Sequence, residues 1–128
     1  KMLSYPEAPA GLPLVQHGLQ ILMDFYHDGI LSLETIVEKT SHNVAKRFQV
    51  KDRGYIREGY YADLAILDTD KPYQVSKGNI LYKCGWSPFL GKTFNSSIHM
   101  TVVNGHIAFE NNQINPNLPF GMQIEFDR

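Results

Sequence analysis

Apolar positions follow two different rhythms along this chain, and the change between them falls near residue 50. Leu14, Val15, Gly18, Leu19, Leu22, Phe25 and Tyr26 recur at helical spacing and predict a first amphipathic helix. Gly11 and Pro13 stand at its entry, where the fixed proline φ suits a first turn, and Gly29 supplies a C-terminal stop. Ser32 reads as the N-cap of a second helix that turns Leu33, Ile36, Val37 and Thr40 inward. After a short loop, a third helix begins at Asn43 and carries Val44, Ala45 and Phe48. The apolar faces of these helices need a partner, which within this chain only the second part can supply.

From Lys51 onward the pattern is one of strands and turns. Gly54 and Gly59 bracket a tight approach to Asp63-Leu-Ala-Ile-Leu-Asp68, whose four consecutive apolar residues predict a strand buried on both faces. Residues 82–94 form a loop rich in Gly, Pro and aromatics, with short strands at its ends. Ile98, Met100 and Val102 alternate with His99, Thr101 and Val103 as a half-buried strand. Asn104-Gly105 is a type I′ hairpin signal, with Ile107, Ala108 and Phe109 returning. The tail from Asn111 reads as irregular, apart from an edge-strand alternation at Met122, Ile124 and Phe126.

Composition narrows the class without naming a function. Twelve basic and thirteen acidic side chains in 128 residues leave a formal charge of −1 with no basic run, so nucleic acid is excluded as an expected partner. The apolar stretches are far shorter than the roughly 20 residues a membrane span needs. A single cysteine, Cys84, excludes an intrachain disulfide and fits a reducing compartment, hence a cytoplasmic location. Residues 1–9 carry neither an apolar signal segment nor a cap or strand pattern. They read as the middle of a longer loop, so the expectation is a piece of a longer chain.

The catalytic inventory is negative. A metal site needs several converging ligands, usually with a close histidine pair on one element. His17, His27, His42, His99 and His106 offer no such pair and read as scattered surface or capping residues. His17 and His27 lie roughly 15 Å apart along a helix, too far to share an ion. Cys84 has no histidine near it in sequence and reads as packing, and no nucleophile elbow or phosphate loop occurs. Asp63 and Asp68 read as hydrogen-bonding groups at the ends of a strand rather than an acid/base pair. Trp86, Pro88 and Phe89 read as an apolar plug, and Tyr60 and Tyr61 as packing residues.

The run Gly54-Tyr-Ile-Arg-Glu-Gly59-Tyr-Tyr-Ala-Asp63-Leu-Ala-Ile-Leu-Asp68 resembles the segment by which amidohydrolase-superfamily chains leave their barrel and enter a small β-sandwich. Residues 101–106, Thr-Val-Val-Asn-Gly-His, resemble the closing element of that sandwich. Ala8-Pro-Ala-Gly-Leu-Pro-Leu-Val-Gln16 and Leu81-Tyr-Lys-Cys-Gly-Trp-Ser-Pro-Phe89 narrow the resemblance to dihydroorotases, and it runs from Glu7 to Gln113. Hydantoinases, dihydropyrimidinases and allantoinases share the glycine-bracketed run, so those cyclic amidases remain the alternative, together with a non-catalytic dihydroorotase-like scaffold.

The resemblance implies an α+β fragment. Residues 1–50 would be the last helices of a metal-dependent-hydrolase (β/α)8 barrel, with a substrate loop at 7–13, and residues 51–128 would be part of a β-sandwich. It implies a zinc-dependent parent, a homo-oligomer, that interconverts N-carbamoyl-L-aspartate and dihydroorotate in pyrimidine biosynthesis. The family's metal ligands and catalytic aspartate have no counterpart here, so no catalytic residue and no zinc are expected in this chain. One contribution is carried over: backbone contacts from Ala10 and Gly11 to the substrate. An incomplete sandwich and a half-covered helical face predict self-association.

Overall fold

Helix α1 spans Gly18–His27 and is entered through a tight turn at Val15–His17. It ends where Gly29 takes φ +70° and Ile30 N–H donates to Phe25 O at 2.9 Å, the glycine stop read from the sequence. The computed structural model describes residues 4, 7, 11–117 and 120–127.

The buried line of α1 is His17, Gln20 and Met23, and this corrects the phase expected from hydrophobicity. The apolar set at Leu19, Leu22, Phe25 and Tyr26 is half-buried or exposed, and Val15 is 95% exposed. The polar face wins because it finds partners. Gln20 Nε2 donates to Ser96 O at 3.3 Å, and Asp24 pairs with Lys92 at 2.8 Å and accepts from Asn95 N–H at 3.2 Å. Hydrogen-bonded polar groups can be buried at little cost.

Ser32 caps α2 (Leu33–Val37), its Oγ accepting from Thr35 N–H at 3.2 Å. No loop separates α2 from α3 (Asn43–Phe48). A π-helical turn at Glu38–His42 joins them, since nothing in Glu-Lys-Thr-Ser-His breaks a helix. Only Ile36 and Ala45 are buried here, while Val37, Val44 and Phe48 are 46%, 44% and 56% exposed.

The second part contains a four-stranded antiparallel sheet in the order β1-β4-β5-β6, from β1 (Leu64–Asp68), β4 (Ser97–Val103), β5 (His106–Glu110) and β6 (Gln113–Ile114). A ribbon of β2 (Tyr73–Gln74) and β3 (Thr93–Phe94) stands beside it. Strand β1 is not buried on both faces. It is an edge strand with Ala65 and Ile66 exposed, so its apolar run records two surfaces of which neither is fully covered by the described residues. The β4–β5 hairpin turns on Asn104 and Gly105 with φ +50° and +81°, as expected of a type I′ turn. A bulge at His99 shifts the β4 register between Ile98 and Met100, which puts Ile98 on the same lining as Thr101 and interrupts the expected alternation.

Two features of the tail depart from expectation. Asn111 and Asn112 take φ +53° and +59° and turn the chain into β6, which was expected to be irregular. The alternation at Met122, Ile124 and Phe126 yields a single bridge, Phe126 to Val50, rather than a strand.

The glycine-bracketed run becomes a clamp. Arg53 pairs with Asp63, donates to Asn104 Oδ1 at 2.7 Å and lies 4.1 Å above the Tyr61 ring. Asp63 Oδ1 accepts from Asn104 N–H at 2.8 Å, tying the entrance of β1 to the hairpin. Tyr61 is therefore an exposed partner of a cation rather than a core residue. Among the described residues no helix is long and apolar enough to cross a membrane.

Candidate functional site

The residues expected to touch substrate precede α1. Ala10 lies outside the described residues. Gly11 is exposed with φ +87°, a backbone conformation that favours glycine, and none of the described residues comes within 4 Å of where a Cβ would sit. Leu12, Leu14 and Val15 are also exposed, which leaves the approach to the helix without a buried side chain until His17.

From Gln16 the chain is held firmly. Its side-chain amide uses both ends on one distant segment: Nε2 donates to Asn79 O at 2.7 Å, and Oε1 accepts from Leu81 N–H at 2.8 Å. The Gln16 backbone N–H donates to Tyr82 Oη at 2.9 Å, satisfying a helix-start amide that no side-chain cap serves. Asn79 is itself fixed, with Oδ1 accepting from Ser76 N–H at 2.9 Å and Nδ2 donating to Gln74 O at 2.8 Å.

His17 is wholly buried and is neither a surface nor a capping residue, a correction to the sequence reading. Its ring stacks on Phe94 at 5.7 Å and 18°, with Phe89 and Tyr82 edge-on and Tyr73 tilted at 6.3 Å. Nδ1 stands 3.5 Å from Tyr82 Oη, and Nε2 has no hydrogen-bond partner among the described residues. Burial pushes the imidazole below its ordinary value and the neighbouring Tyr73 phenol above its own. Phe89 joins this cluster as the plug reading expected, whereas Trp86 is half-buried and Pro88 exposed.

The other histidines go to separate environments. His27 Nε2 meets Ser96 Oγ at 2.9 Å, His42 stacks on Tyr55 at 4.3 Å, His106 stacks on Phe120 at 4.9 Å, and His99 is exposed on β4. Cys84 Sγ faces Trp86 O at 3.7 Å. Asp68 Oδ1 accepts from Asp70 N–H at 3.3 Å, so both strand-end aspartates are hydrogen-bonding groups. Among the described residues no three His, Cys, Asp or Glu side chains converge on a point that could hold a metal. The described donor set does not fit the zinc implied by the resemblance.

An open cavity of about 370 Å³ adjoins the head of α1, lined by Val15, Gln16, Gln20, Tyr73, Leu81 and Ile98 among others. The polar pairing of Gln16 escapes sequence reading, since its partners lie more than sixty positions away. The one local trace is that polar His17 and Gln20 precede Met23 at a three-residue spacing.

Residues 22–109, more than half of the chain, match the profile of the family described as "Amidohydrolase family". The chain is 34% identical over 105 residues to a dihydroorotase of Pyrococcus abyssi, covering 82% of this chain and 26% of that protein. It is 32% identical over 105 residues to an allantoinase of Desulfitobacterium hafniense, covering 81% and 23% respectively. Its fold resembles that of an L-hydantoinase (dihydropyrimidinase) from Arthrobacter aurescens with a TM-score of 0.74 at 29% identity, over 84% of this chain and 24% of the other. The chain thus spans about a quarter of the length of the curated relatives it matches.

Proposed function

This chain belongs to the amidohydrolase family, and from that premise we propose that it is the C-terminal part of a dihydroorotase. The parent would be a zinc-dependent cyclic amidase that interconverts N-carbamoyl-L-aspartate and dihydroorotate in pyrimidine biosynthesis. The observation that carries this reading is the match to curated dihydroorotases over four-fifths of the chain. The Ala8–Gln16 and Leu81–Phe89 segments add to it.

In this reading residues 1–50 close a catalytic (β/α)8 barrel and 51–128 belong to its β-sandwich. The metal and the proton-transferring aspartate belong to residues other than these, so this chain by itself binds no zinc and turns over no substrate. Its contribution to chemistry is positional. The backbone at Ala10 and Gly11 offers hydrogen bonds to the substrate's carboxylate and ring amide, and the small residues permit that approach. The half-exposed apolar faces of α1, α2 and α3 suit packing against the rest of a barrel, and the parent would be a cytoplasmic homo-oligomer.

A second reading, an allantoinase or hydantoinase, is favoured by the nearly equal identity to a curated allantoinase. The two are separated by assaying the full-length polypeptide that carries this segment on dihydroorotate, allantoin and hydantoin. The dihydroorotase reading predicts ring opening of dihydroorotate in clear preference to the others. Preferential opening of allantoin or hydantoin would replace it with the second reading. Failure on all three would favour a non-catalytic scaffold.

A further inference from the structure

The segment 120–127 is fastened at both of its ends, at Phe120 to the β4–β5 turn and at residues 125–127 to the chain leaving α3. We propose that it is a strap that closes on Lys51 and holds the Arg53–Asp63–Asn104 clamp shut, so that the joint between helices and sheet opens or closes with the charge around Lys51. The inference concerns the fold, and it stands or falls apart from the reaction of the full-length polypeptide.

The contacts form a closed circuit. Helix α3 ends at Gln49 in the left-handed conformation, φ +55°, and the backbone groups there turn to the strap. Asp127 N–H donates to Gln49 O at 2.9 Å, and Lys51 N–H donates to Glu125 O at 3.0 Å. These two bonds flank the antiparallel bridge of Val50 with Phe126. Two residues on from Lys51, Arg53 pairs with Asp63 and donates to Asn104 Oδ1. Asn104 Nδ2 donates to Phe120 O, and the Phe120 ring stacks on His106 at 4.9 Å. From Phe120 the strap runs back to Glu125. Asn104 therefore serves both arms, its side-chain oxygen the clamp and its nitrogen the strap. Hydrogen bonds that share a partner in this way depend on one another.

The latch end is electrostatically lopsided. Lys51 Nζ stands 3.4 Å from Glu125 Oε2, and Asp52 and Asp127 also act on it, so one ammonium answers three carboxylates. Its hydrogen bond to Glu125, then the charges of Glu125, Asp52 and Asp127, push the ammonium above its ordinary value. Without that cation, like charges would face one another across the bonds that close the strap. The Lys51–Glu125 pair is exposed, 47% and 73% of the two side chains, so it is weak and screened by salt. A weak latch in a shared circuit is what makes the closure adjustable.

The test follows backbone hydrogen exchange in the full-length polypeptide and in its Lys51→Met and Asp127→Pro variants. Each is measured at about 0.1 M and about 1 M salt, between which the screening length falls from about 10 Å to about 3 Å. Asp127→Pro removes one donor N–H from the latch and leaves every clamp residue in place. It should raise exchange about fivefold at the Lys51 N–H. Through the circuit it should also raise exchange about threefold or more at the Tyr61, Asn104 and Gly105 N–H groups, which donate to Asp52 O, Asp63 Oδ1 and Ala62 O. Amides that pair β4 with β5 away from the turn should exchange as before, which a general loss of stability would not allow. Lys51→Met and high salt should each raise the same set about two- to fivefold. Salt should have no further effect at Tyr61, Asn104 and Gly105 in Asp127→Pro, where the strap is already open. Exchange that rises at Lys51 but not at Tyr61, Asn104 and Gly105 would make the strap independent of the clamp and overturn the proposal. Exchange indifferent to both salt and Lys51→Met would overturn it as well. Should Asp127→Pro not fold, the salt series on the unsubstituted polypeptide decides between the same outcomes.

Discussion

Replacing Gly54 with alanine probes the joint between the helices and the sheet. Gly54 sits at φ +82°, and a Cβ built on it would lie 2.5 Å from Ala45 Cβ and 3.3 Å from Ser41 O. Carbon atoms in contact ordinarily stand about 3.5–4.0 Å apart, so the substitution drives the chain about an ångström off α3. The Ser41 Oγ–H to Gly54 O bond at 3.1 Å strains with it. Two costs add. The left-handed backbone costs about 1 kcal/mol for a residue with a Cβ, and overpacking costs about 1–3 kcal/mol. Gly54→Ala should therefore destabilise by about 2–4 kcal/mol. Gly59 separates the two costs, for it has the same φ of +82° with nothing within 4 Å, and Gly59→Ala should cost only about 1 kcal/mol. Adding Ala45→Gly to Gly54→Ala removes the colliding methyl while weakening α3 by about 1 kcal/mol, so the pair should couple favourably by about 1–3 kcal/mol. Urea unfolding followed by the single tryptophan, Trp86, reads the wild type, the three single variants and the double variant. Equal losses at Gly54 and Gly59, or strict additivity with Ala45→Gly, would refute the steric account.

Three further outcomes follow from the same contacts. Burial holds the His17 imidazole below 6.5, so the unfolded chain binds the proton more readily than the folded one. The stability contributed by neutral His17 is thus complete above about pH 6.5 and is lost as pH falls through its lowered folded pKa. The melting temperature should drop with acid across that window more steeply in the wild type than in His17→Phe. Asp63→Ala strands the mostly buried Arg53 guanidinium and the Asn104 N–H, and should destabilise by about 1–3 kcal/mol in denaturant melts; Arg53→Lys should recover none of the Tyr61 stacking. Asn104→Ala should cost about 1–2 kcal/mol by the same assay, because it places a Cβ-bearing residue less suited to φ +50° in the turn and removes the bond from Arg53.

What could be read from the sequence was what local chemistry decides. Ser32 and Gly29 end their helices as expected because a cap needs only its own turn, and Asn104-Gly105 makes its hairpin because positive φ is intrinsic to that pair. Asn111-Asn112 carries the same chemistry, but adjacent Asn and Pro residues disguise it as an irregular tail. The phase of α1 was hidden for a different reason. Hydrophobic spacing assigns Leu19 and Leu22 to the interior, whereas the described partners, Ser96, Asn95, Lys92 and Phe94, select the face of His17, Gln20 and Asp24. The apolar run of β1 signalled burial, and within the described chain it forms an edge. At the candidate site the Gly11 turn was legible from residue type, while the pairing of Gln16 was not, since it depends on residues brought in from beyond position 78.

In the dihydroorotase proposed above, the metal and the acid/base groups would lie outside residues 1–128. The most direct test measures zinc content and dihydroorotate hydrolysis for residues 1–128 by themselves and for the full-length polypeptide, side by side. The expected result is a metal-free, inactive segment beside a zinc-loaded, active full-length protein. Stoichiometric zinc or turnover in residues 1–128 would contradict it, and would direct attention to His99, His106 and Cys84.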